Sequence, residues 1–325
     1  STFAGNNNTT IMNTINETNF QFPNQKSVYK GKVREVYNIN DEVLVMIASD
    51  RLSAFDVILP RQIPFKGQIL NQIATKMMHA TADIVPNWLV ANPDENVAIG
   101  HLCSPFKVEM VIRGYMSGHA AREYKAGKRV LCGVEMADGM QENDKFPTPI
   151  ITPSTKAENG DHDEDITREA ILSNNVVSEE DYIVLENYTR ALFQRGTEIA
   201  ASRGLILVDT KYEFGKTNDG EIVLIDEVHS PDSSRFWEFS TYEERFAKGE
   251  EPENIDKEFL RLWFKKNCDP YNDRELPQAP SELIVELSLR YIQVYEKMTG
   301  SSFDFPHSNR EVGLRVSNAL EILLT

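Results

Sequence analysis

Apolar runs of strand length in the first third of the chain predict a β-rich region. Within residues 27–60, Val43–Ala48 is an apolar run that follows a cluster of turn-forming residues. A further apolar run at 106–112 predicts a strand that ends at Arg113 and Gly114. The chain is therefore expected to begin its fold with strands.

Apolar residues at helical spacing predict four helices further along the chain. One covers residues 68–85, and a second begins at the N-cap Ser178 and stops at Gly204. Near the end of the chain, one helix begins at about residue 283 and stops at Gly300, and another covers 309–324. We interpret the last two as packing elements.

Two short apolar runs predict a β-hairpin between the second helix and the end of the chain. They cover residues 205–208 and 222–225 and flank a turn at 215–220 that contains an Asn-Asp-Gly sequence. The elements together predict a mixed α/β fold without internal repeats.

Charged side chains alternate along the first arm of this hairpin. Asp209, Lys211 and Glu213 share one face because successive side chains of a strand point to opposite sides. Asp226 follows the second arm. A tight register would set it opposite Asp209, whereas a shifted register would bring it nearer Glu213. Carboxylates of this kind suit Mg²⁺, which uses one or two protein carboxylates together with phosphate oxygens.

Two polar segments predict no regular structure. Residues 1–24 begin with an Asn- and Thr-rich stretch and are expected to form a disordered tail. Residues 138–165 are rich in Pro, Asp and Glu and predict a solvated loop. A loop of that length inside a compact domain is uncommon unless it is functional or disordered.

Composition limits the classes of function. The 325 residues carry a formal net charge of −16, which disfavours nucleic acid and anionic membranes as partners. No stretch approaches the roughly 20 apolar residues needed to span a bilayer, and no secretory signal is evident, so we expect a cytoplasmic protein. Three scattered cysteines argue against disulfides and a zinc knuckle. Because the net charge is strongly negative, any phosphate site must be a local cluster of cations and backbone amides.

Candidate anion sites occur at four further places. Gly31 and Lys32 stand in a β-rich segment, where they fit either a structural turn or a flap that contacts nucleotide phosphates. The segment 49–56, SDRLSAFD, follows an apolar strand and fits either a capped turn or a ligand site. Arg113 with the segment 114–119, and Arg235 in the turn SPDSSR (230–235), suit phosphate or carboxylate binding.

In order along the chain, these segments resemble SAICAR synthetases. The matching motifs are GKVREVY (31–37), SDRLSAFD (49–56), EMVIRGYMSG (109–118), TPSTKAENGDHDED (152–165), LILVDTKYEFG (205–215) and LIDEVHSPDSSRFW (224–237). The resemblance spans about residues 27–300. It implies a two-lobed fold related to the ATP-grasp and kinase architectures, with ATP between a β-rich lobe (25–109) and an α/β lobe (110–325).

The resemblance also implies a reaction in which ATP drives the joining of L-aspartate to a carboxylated aminoimidazole ribotide, with Mg²⁺ as cofactor. By position, it implies contacts to ATP from Gly31, Lys32, Val33, Arg34, Glu109 and Val111, the last two in a hinge against adenine. It implies substrate contacts from Arg113, Ser117, His119, Lys156, Asp163, Arg235, Asp50 and Ser53. It implies magnesium ligands Glu213 and Asp226, and catalytic residues Lys211 and Asp209.

One position departs from the family pattern. The family usually has Ser where this chain has His119, so the contact to the ribotide phosphate could shift to Ser117. A histidine can still donate a hydrogen bond to phosphate, more strongly when it is protonated.

Two other classes of function remain open at this stage. A small-molecule or protein kinase is one, although the chain lacks the H-R-D, D-F-G and G-x-G-x-x-G motifs. A catalytically inactive nucleotide-binding module is the other, but the acids and cations that such a module would have lost are all present.

Overall fold

A computed structural model describes residues 14–54, 57–156, 163–255, 258–270, 272–273, 275–305 and 312–324. Its strands, in chain order, are β1 (Gln25–Lys30), β2 (Arg34–Ile39), β3 (Val43–Ala48), β4 (Ser53–Ala54), β5 (Val57–Ile58), β6 (Leu89–Asp94), β7 (Val97–His101), β8 (Ser104–Pro105), β9 (Val108–Tyr115), β10 (Val130–Leu131), β11 (Val134–Glu135), β12 (Lys145–Ile151), β13 (Ser154–Thr155), β14 (Leu205–Lys216), β15 (Ile222–Ile225) and β16 (Ser234–Glu238). Its helices are α1 (Lys66–Thr81), α2 (Gly118–Lys125), α3 (Arg168–Ser173), α4 (Glu179–Ser202), α5 (Phe239–Ala247), α6 (Glu258–Asn267), α7 (Ser281–Thr299) and α8 (Val312–Leu324).

The first sheet is antiparallel and has the strand order β1-β2-β3-β7-β6. One of its faces is covered by both ends of the described chain: Ile15 and Phe22 pack with Val316 and Leu320 of α8 in one apolar cluster. The expectation of a disordered tail is therefore wrong for residues 14–24, because apolar side chains in this segment are buried against the sheet. Residues 1–13 lie outside the described part of the chain.

The second sheet contains the long strand β14 near its centre. Its main path is β12-β9-β14-β15, and β8, β13 and β16 pair alongside. Tyr212 and Phe214 of β14 are buried, whereas Lys211 and Glu213 are only partly covered. The predicted alternation of side chains along this strand is confirmed. In the described part of the chain, the two large sheets, two short two-stranded sheets (β4-β5 and β10-β11) and eight helices form a mixed α/β fold.

The polar segment 138–165 is only partly a loop. It contains β12 and β13, both paired with β9. Pro147 and Pro149 lie in β12, an edge strand, where a proline can be tolerated because one edge needs no backbone donor. Those prolines and the polar composition concealed the strand from sequence reasoning. The strand predicted at 106–112 also continues through Arg113 and Gly114 to Tyr115 as β9.

The four predicted helices are present with small shifts at their ends. The helix predicted at 68–85 is α1, which ends at Thr81. Ser178 caps α4 by accepting a hydrogen bond from the Asp181 amide at 3.2 Å. Gly300 ends α7 with a left-handed φ of 67°. The last helix is described from Val312, and residues 309–311 of the prediction lie outside the described residues.

The last strand of the first sheet along the chain, β7, ends at His101, and β9 of the second sheet begins at Val108. The predicted lobe boundary at 109/110 would cut β9, so the segment between these strands is the better place for it. The division into lobes and the relation to ATP-grasp and kinase folds stay predictions. Among the described helices, none has the length and apolar character required to cross a membrane.

Candidate active site

A cleft of about 1580 Å³ is lined by the β1–β2 turn, by strands β14 and β16 of the second sheet, and by residues of neighbouring loops and helices. Among the residues that line it are Lys32, Val33, Ser53, Ser117, Asp209, Lys211, Asp226 and Arg235. The structure thus brings together residues that are more than 200 positions apart in the sequence. Eight of the predicted site residues meet at one surface.

Acids and lysines alternate beside the cleft, on β9, β14 and the residues that follow β13 and β15, and two of them, Lys211 and Asp226, line the cleft itself. Lys211 Nζ lies 2.9 Å from Glu109 Oε1, and Lys156 forms an ion pair with Glu213. Burial disfavours the charged form of Lys211, but the carboxylates of Glu109, Glu213 and Asp226 outweigh it and raise the pKa of Lys211. Lys156 has its pKa raised by the same three carboxylates, again against burial. We call these five side chains the charge cluster: Glu109, Lys156, Lys211, Glu213 and Asp226.

The hairpin register decides which acids share this cluster. Glu213 pairs with Ile225, so Asp226 lies one residue beyond that pair. Of the two registers left open by the sequence, the structure has the shifted one, with Asp226 nearer Glu213 than Asp209.

Arg34 joins the first sheet to these acids. Its Nη1 lies 2.8 Å from Asp226 Oδ1, and its Nη2 lies 2.7 Å from Glu227 Oε2. Burial disfavours the charged guanidinium, yet the carboxylates of Glu227 and Asp226 raise the pKa of Arg34. The sequence predicted a contact to ATP for Arg34, but the structure places it on the acids. Glu227 was seen in the sequence but not selected as a site residue.

A second row of charges crosses three neighbouring strands. Asp209 of β14 pairs in register with Arg113 of β9 on one side and Arg235 of β16 on the other. Arg113 Nη1 is 3.5 Å from Asp209 Oδ2, and Arg235 Nε is 3.9 Å from Asp209 Oδ1. Burial and the neighbouring Arg235 lower the pKa of Arg113, whereas Asp209 raises it. The row carries one more positive than negative charge, which suits an anionic ligand.

The corner beside this row is closely packed. Arg235 Nη1 donates to Ser117 Oγ at 2.5 Å. Gly118 has a φ of 58°, and a Cβ there would lie 2.5 Å from Arg235 Nη2. Glycine is therefore favoured at 118, because a larger residue would be strained by this backbone conformation and would displace the Arg235 guanidinium.

The β1–β2 turn is held from behind by Arg51. Arg51 donates to the carbonyls of Gly31 at 2.9 Å and Lys32 at 3.1 Å, and it forms an ion pair with buried Glu35 at 3.1 Å. The Gly31 amide donates to the Arg34 carbonyl at 2.8 Å, so this amide closes the turn and is not presented to a phosphate. The sequence signal for Arg51 was its place in the SDRLSAFD segment.

Asp50 faces the interior. Its two carboxylate oxygens accept hydrogen bonds from the amides of Ile15 and Gly67, each at 2.8 Å, and its residue is only 2% exposed. Burial raises the pKa of Asp50 to about 6, although the two amides lower it. These contacts assign Asp50 to packing of the N-terminal segment on α1 and do not support the predicted contact to substrate.

Glu109 and Val111 lie inside β9, with strands paired on both sides. Val111 pairs with Lys211, and its carbonyl accepts from the Thr152 amide at 2.8 Å. Glu109 pairs with Ser154. The Val111 carbonyl is thus engaged within the sheet, and the predicted hinge contact of Glu109 and Val111 to adenine stays a prediction. The Glu109 side chain contributes through its ion pair with Lys211.

His119 turns toward the polar segment. Its Nε2 lies 2.7 Å from Asp165 Oδ2, and Asp165 forms a β-bridge with Ser154. His119 is absent from the residues that line the cleft, whereas Ser117 is among them. Asp163 is exposed, directly after residues 157–162, which the structure does not describe.

The turn after β15 is supported by buried side chains that the sequence did not single out. Trp88 Nε1 donates to the Asp226 carbonyl at 3.0 Å, and Tyr212 Oη lies 2.6 Å from His229 Nε2. Asp226 and His229 both have left-handed φ angles, 63° and 51°. Complete burial lowers the pKa of His229 to about 3, so this histidine is neutral. No local sequence pattern signals the contact from Trp88.

The donor chemistry fits a magnesium ion completed by phosphate. Within the described residues, no three His, Cys, Asp or Glu side chains converge as a protein metal cage. Glu213 and Asp226 lie near each other and line the charge cluster, and Mg²⁺ commonly uses two carboxylates plus substrate phosphates. A site of that kind needs no third protein ligand.

A family model described as SAICAR synthetase matches residues 27–278. The chain belongs to the SAICAR synthetase family. Similar curated relatives include the phosphoribosylaminoimidazole-succinocarboxamide synthase of Flavobacterium psychrophilum, 68% identical over 293 residues, which cover 90% of this chain and 93% of the relative. That of Cytophaga hutchinsonii is 57% identical over 96% of this chain and 100% of the relative.

Solved SAICAR synthetase structures share the fold. The SAICAR synthase from Saccharomyces cerevisiae, in complex with SAICAR, aligns with a TM-score of 0.77 at 30% identity, covering 90% of this chain and 100% of that chain. Another SAICAR synthase aligns with a TM-score of 0.76 at 30% identity over the same shares. Membership of the SAICAR synthetase family favours the ligase over the kinase alternative.

Proposed function

We propose that this chain catalyses the ATP-dependent condensation of L-aspartate with 5-amino-1-(5-phospho-D-ribosyl)imidazole-4-carboxylate, giving SAICAR, ADP and phosphate in purine biosynthesis. The observation that carries the proposal is family membership, with relatives matched over almost their full length. The cleft supports it, since it combines an acid-rich cluster for a metal-bound nucleotide with an arginine-rich row for a phosphate. The cytoplasmic location stays a prediction.

ATP would lie with its phosphates between the β1–β2 turn and the acid cluster. Lys32 and Val33 line the cleft on one side and Asp226 on the other, where it would hold Mg²⁺ together with the neighbouring Glu213. The ion would neutralise phosphate charge and fix the phosphoryl group in line with its acceptor. Lys211 lines the same surface and would add a positive charge as negative charge develops on the transferring group.

The ribotide would place its 5′-phosphate at the corner formed by Ser117, Gly118 and Arg235. The support is the packed, positively charged corner at the beginning of α2, which suits a phosphate through both hydrogen bonds and charge. Asp209 lies between Arg113 and Arg235, so we assign it to orienting their guanidinium groups.

The reaction requires activation of a carboxylate, whose oxygen is a poor leaving group. ATP would transfer its γ-phosphoryl group to an oxygen of the ribotide carboxylate, giving an acyl phosphate and ADP. The aspartate amine would then attack the carbonyl carbon, the C–O bond to phosphate would break, and the nitrogen would lose a proton. With ¹⁸O in the carboxylate, one label must appear in the released phosphate. Unlabelled phosphate would exclude this route.

The decisive experiment measures ADP release and SAICAR formation with Mg²⁺-ATP, ribotide and L-aspartate, omitting each component in turn. ADP and SAICAR should form in equal amounts and only with all components. A phosphotransferase would instead release ADP with the ribotide alone. It would form no SAICAR when L-aspartate is then added.

A further inference from the structure

Each acid of the charge cluster is paired with a cation from a different segment of the chain. Glu109 is paired with Lys211, and Glu213 with Lys156. Asp226 is paired with Arg34, which comes from the first sheet and not from the sheet that carries the acids. Of these three pairs, only the Arg34 pair joins the β1–β2 turn, where the ATP phosphates would lie, to a proposed metal ligand.

The guanidinium of Arg34 occupies one of the two carboxylate oxygens of Asp226 that a metal ion could use. Its two terminal nitrogens contact Asp226 Oδ1 at 2.8 Å and Glu227 Oε2 at 2.7 Å, and its side chain is only 12% exposed. A magnesium ion needs an oxygen ligand at about 2.1 Å. A cation bound so close to Asp226 Oδ1 would repel the guanidinium, because both charges would share one oxygen in a partly buried site.

The phosphates of ATP would offer Arg34 other acceptors. Arginine binds phosphate and carboxylate with the same planar pair of N–H groups, so it can exchange one for the other. Arg34 begins β2 directly after Lys32 and Val33, both of which line the cleft. Its partners Asp226 and Glu227 also line the cleft, so a phosphate bound between the turn and these acids would lie beside the guanidinium.

We propose that Arg34 occupies the cation position at Asp226 in the nucleotide-free protein, so that the divalent metal ion enters only together with ATP. The proposal rests on Asp226 as a metal ligand. It predicts that the free protein binds divalent metal ions weakly and that removal of Arg34 uncovers a metal site that needs no nucleotide. The contrasting arrangement is a permanent contact in which Arg34 only holds Asp226 in place.

The test is direct binding of Mn²⁺, followed by the electron paramagnetic resonance of the free ion, with full-length protein and no nucleotide. Arg34→Gln should bind Mn²⁺ at least about tenfold more tightly than the unaltered protein, since one nearby positive charge is removed. The gain should disappear in Arg34→Gln/Asp226→Asn. Lys30→Gln is the matched control: it removes one charge from the same hairpin, at a residue paired with Glu17, and should leave Mn²⁺ binding unchanged.

Binding of Mn²⁺-ADP separates the two ways in which the proposal can fail. If Arg34→Gln binds free Mn²⁺ no better and binds Mn²⁺-ADP more weakly, the arginine is a permanent partner and the proposal is overturned. If Asp226→Asn binds Mn²⁺-ADP as well as the unaltered protein does, the metal assignment itself is wrong. Unchanged circular dichroism in Arg34→Gln would show that the variant is folded.

Discussion

The two sides of the cleft are held in place by different means. The side formed by β9, β14 and β16 carries Arg113, Asp209 and Arg235 on paired strands, so backbone register sets their spacing. The opposite side is the β1–β2 turn, where β1 is an exposed edge strand. There, Arg51 behind the turn and Arg34 in front of it hold the turn through side-chain contacts, alongside backbone hydrogen bonds from the Gly31 amide to the Arg34 carbonyl and from the Ser49 amide to the Val33 carbonyl.

This difference indicates which side can adapt to a ligand. The backbone of a central strand cannot move far without breaking a ladder of hydrogen bonds, so the Cα positions of its charged residues are fixed. A turn held by two arginines can move when those contacts are exchanged. We therefore expect substitutions on the turn side to affect stability and ATP binding, and substitutions on the strand side to affect turnover of the ribotide.

The largest expected effect is a loss of stability caused by a substitution on the turn side of the cleft. Arg51→Met leaves Glu35, which is 1% exposed, as a buried carboxylate without its cation and removes donors from two turn carbonyls. Loss of one partner of a buried ion pair costs about 3–5 kcal/mol in the free energy of unfolding. Urea denaturation measures this loss. Lys30→Met, at an exposed pair on the same hairpin, should cost less than about 1 kcal/mol and is the control. Equal losses in the two variants would refute the role of Arg51.

The next largest effect is a loss of ribotide turnover caused by a substitution on the strand side of the cleft. Arg235→Ala removes the donor to Ser117 and one partner of Asp209. Since loss of one well-placed donor typically costs about 10²–10³-fold, kcat/KM for the ribotide should fall by that factor. The melting temperature and the KM for ATP should change little. Arg235→Lys should rescue only part of the activity, because lysine lacks the paired N–H groups. Full rescue by lysine would mean that charge alone is sufficient.

The third prediction concerns His229, which supports the turn that carries Asp226. It is tested by the pH dependence of the free energy of unfolding. The pKa of His229 is about 3 in the folded protein and about 6.5 when the chain is unfolded, so the unfolded state binds more protons between these values. Stability is thus lost as pH falls below 6.5, by about 2 kcal/mol at pH 5 from this group. His229→Gln should remove that part of the slope, measured by urea denaturation at pH 7 and pH 5. The exposed His101→Gln is the control; an unchanged slope in His229→Gln would contradict the prediction.

The smallest effect concerns the contact between α2 and the polar segment. His119 and Asp165 are both partly exposed, so their pair should contribute only about threefold to the KM for the ribotide. His119→Ala, Asp165→Ala and the double variant form a thermodynamic cycle. Effects of the single variants that do not add up would confirm the coupling. Strictly additive effects would show that the two residues act independently.

Features set by neighbouring residues could be predicted from the sequence. The capped α4, the end of α7 at Gly300 and the alternation along β14 depend on short patterns, and all three are present. The strand β12 could not be found, because prolines tolerated at a sheet edge resemble a loop in sequence.

The sequence could select candidates for the site but not their contacts. Motifs selected Asp226, Arg34 and Asp50 as candidates, yet only the fold decides which of them faces a ligand. Asp50 faces inward because two backbone amides bind its carboxylate. The contact between Arg34 and Asp226 depends on the packing of two sheets, which no local pattern encodes.

The contact between Arg34 and Asp226 also bears on the order of folding. The two residues are 192 positions apart in the chain, whereas β1, β2 and β3 pair with immediate neighbours along it. Contacts between neighbours close small loops and form quickly, whereas distant contacts must wait for long loops to close. During synthesis from the N-terminus, the hairpin can thus be complete while Arg34 still lacks its acidic partners. The cleft can be complete only after the last residues that line it, up to Lys297, have been synthesised.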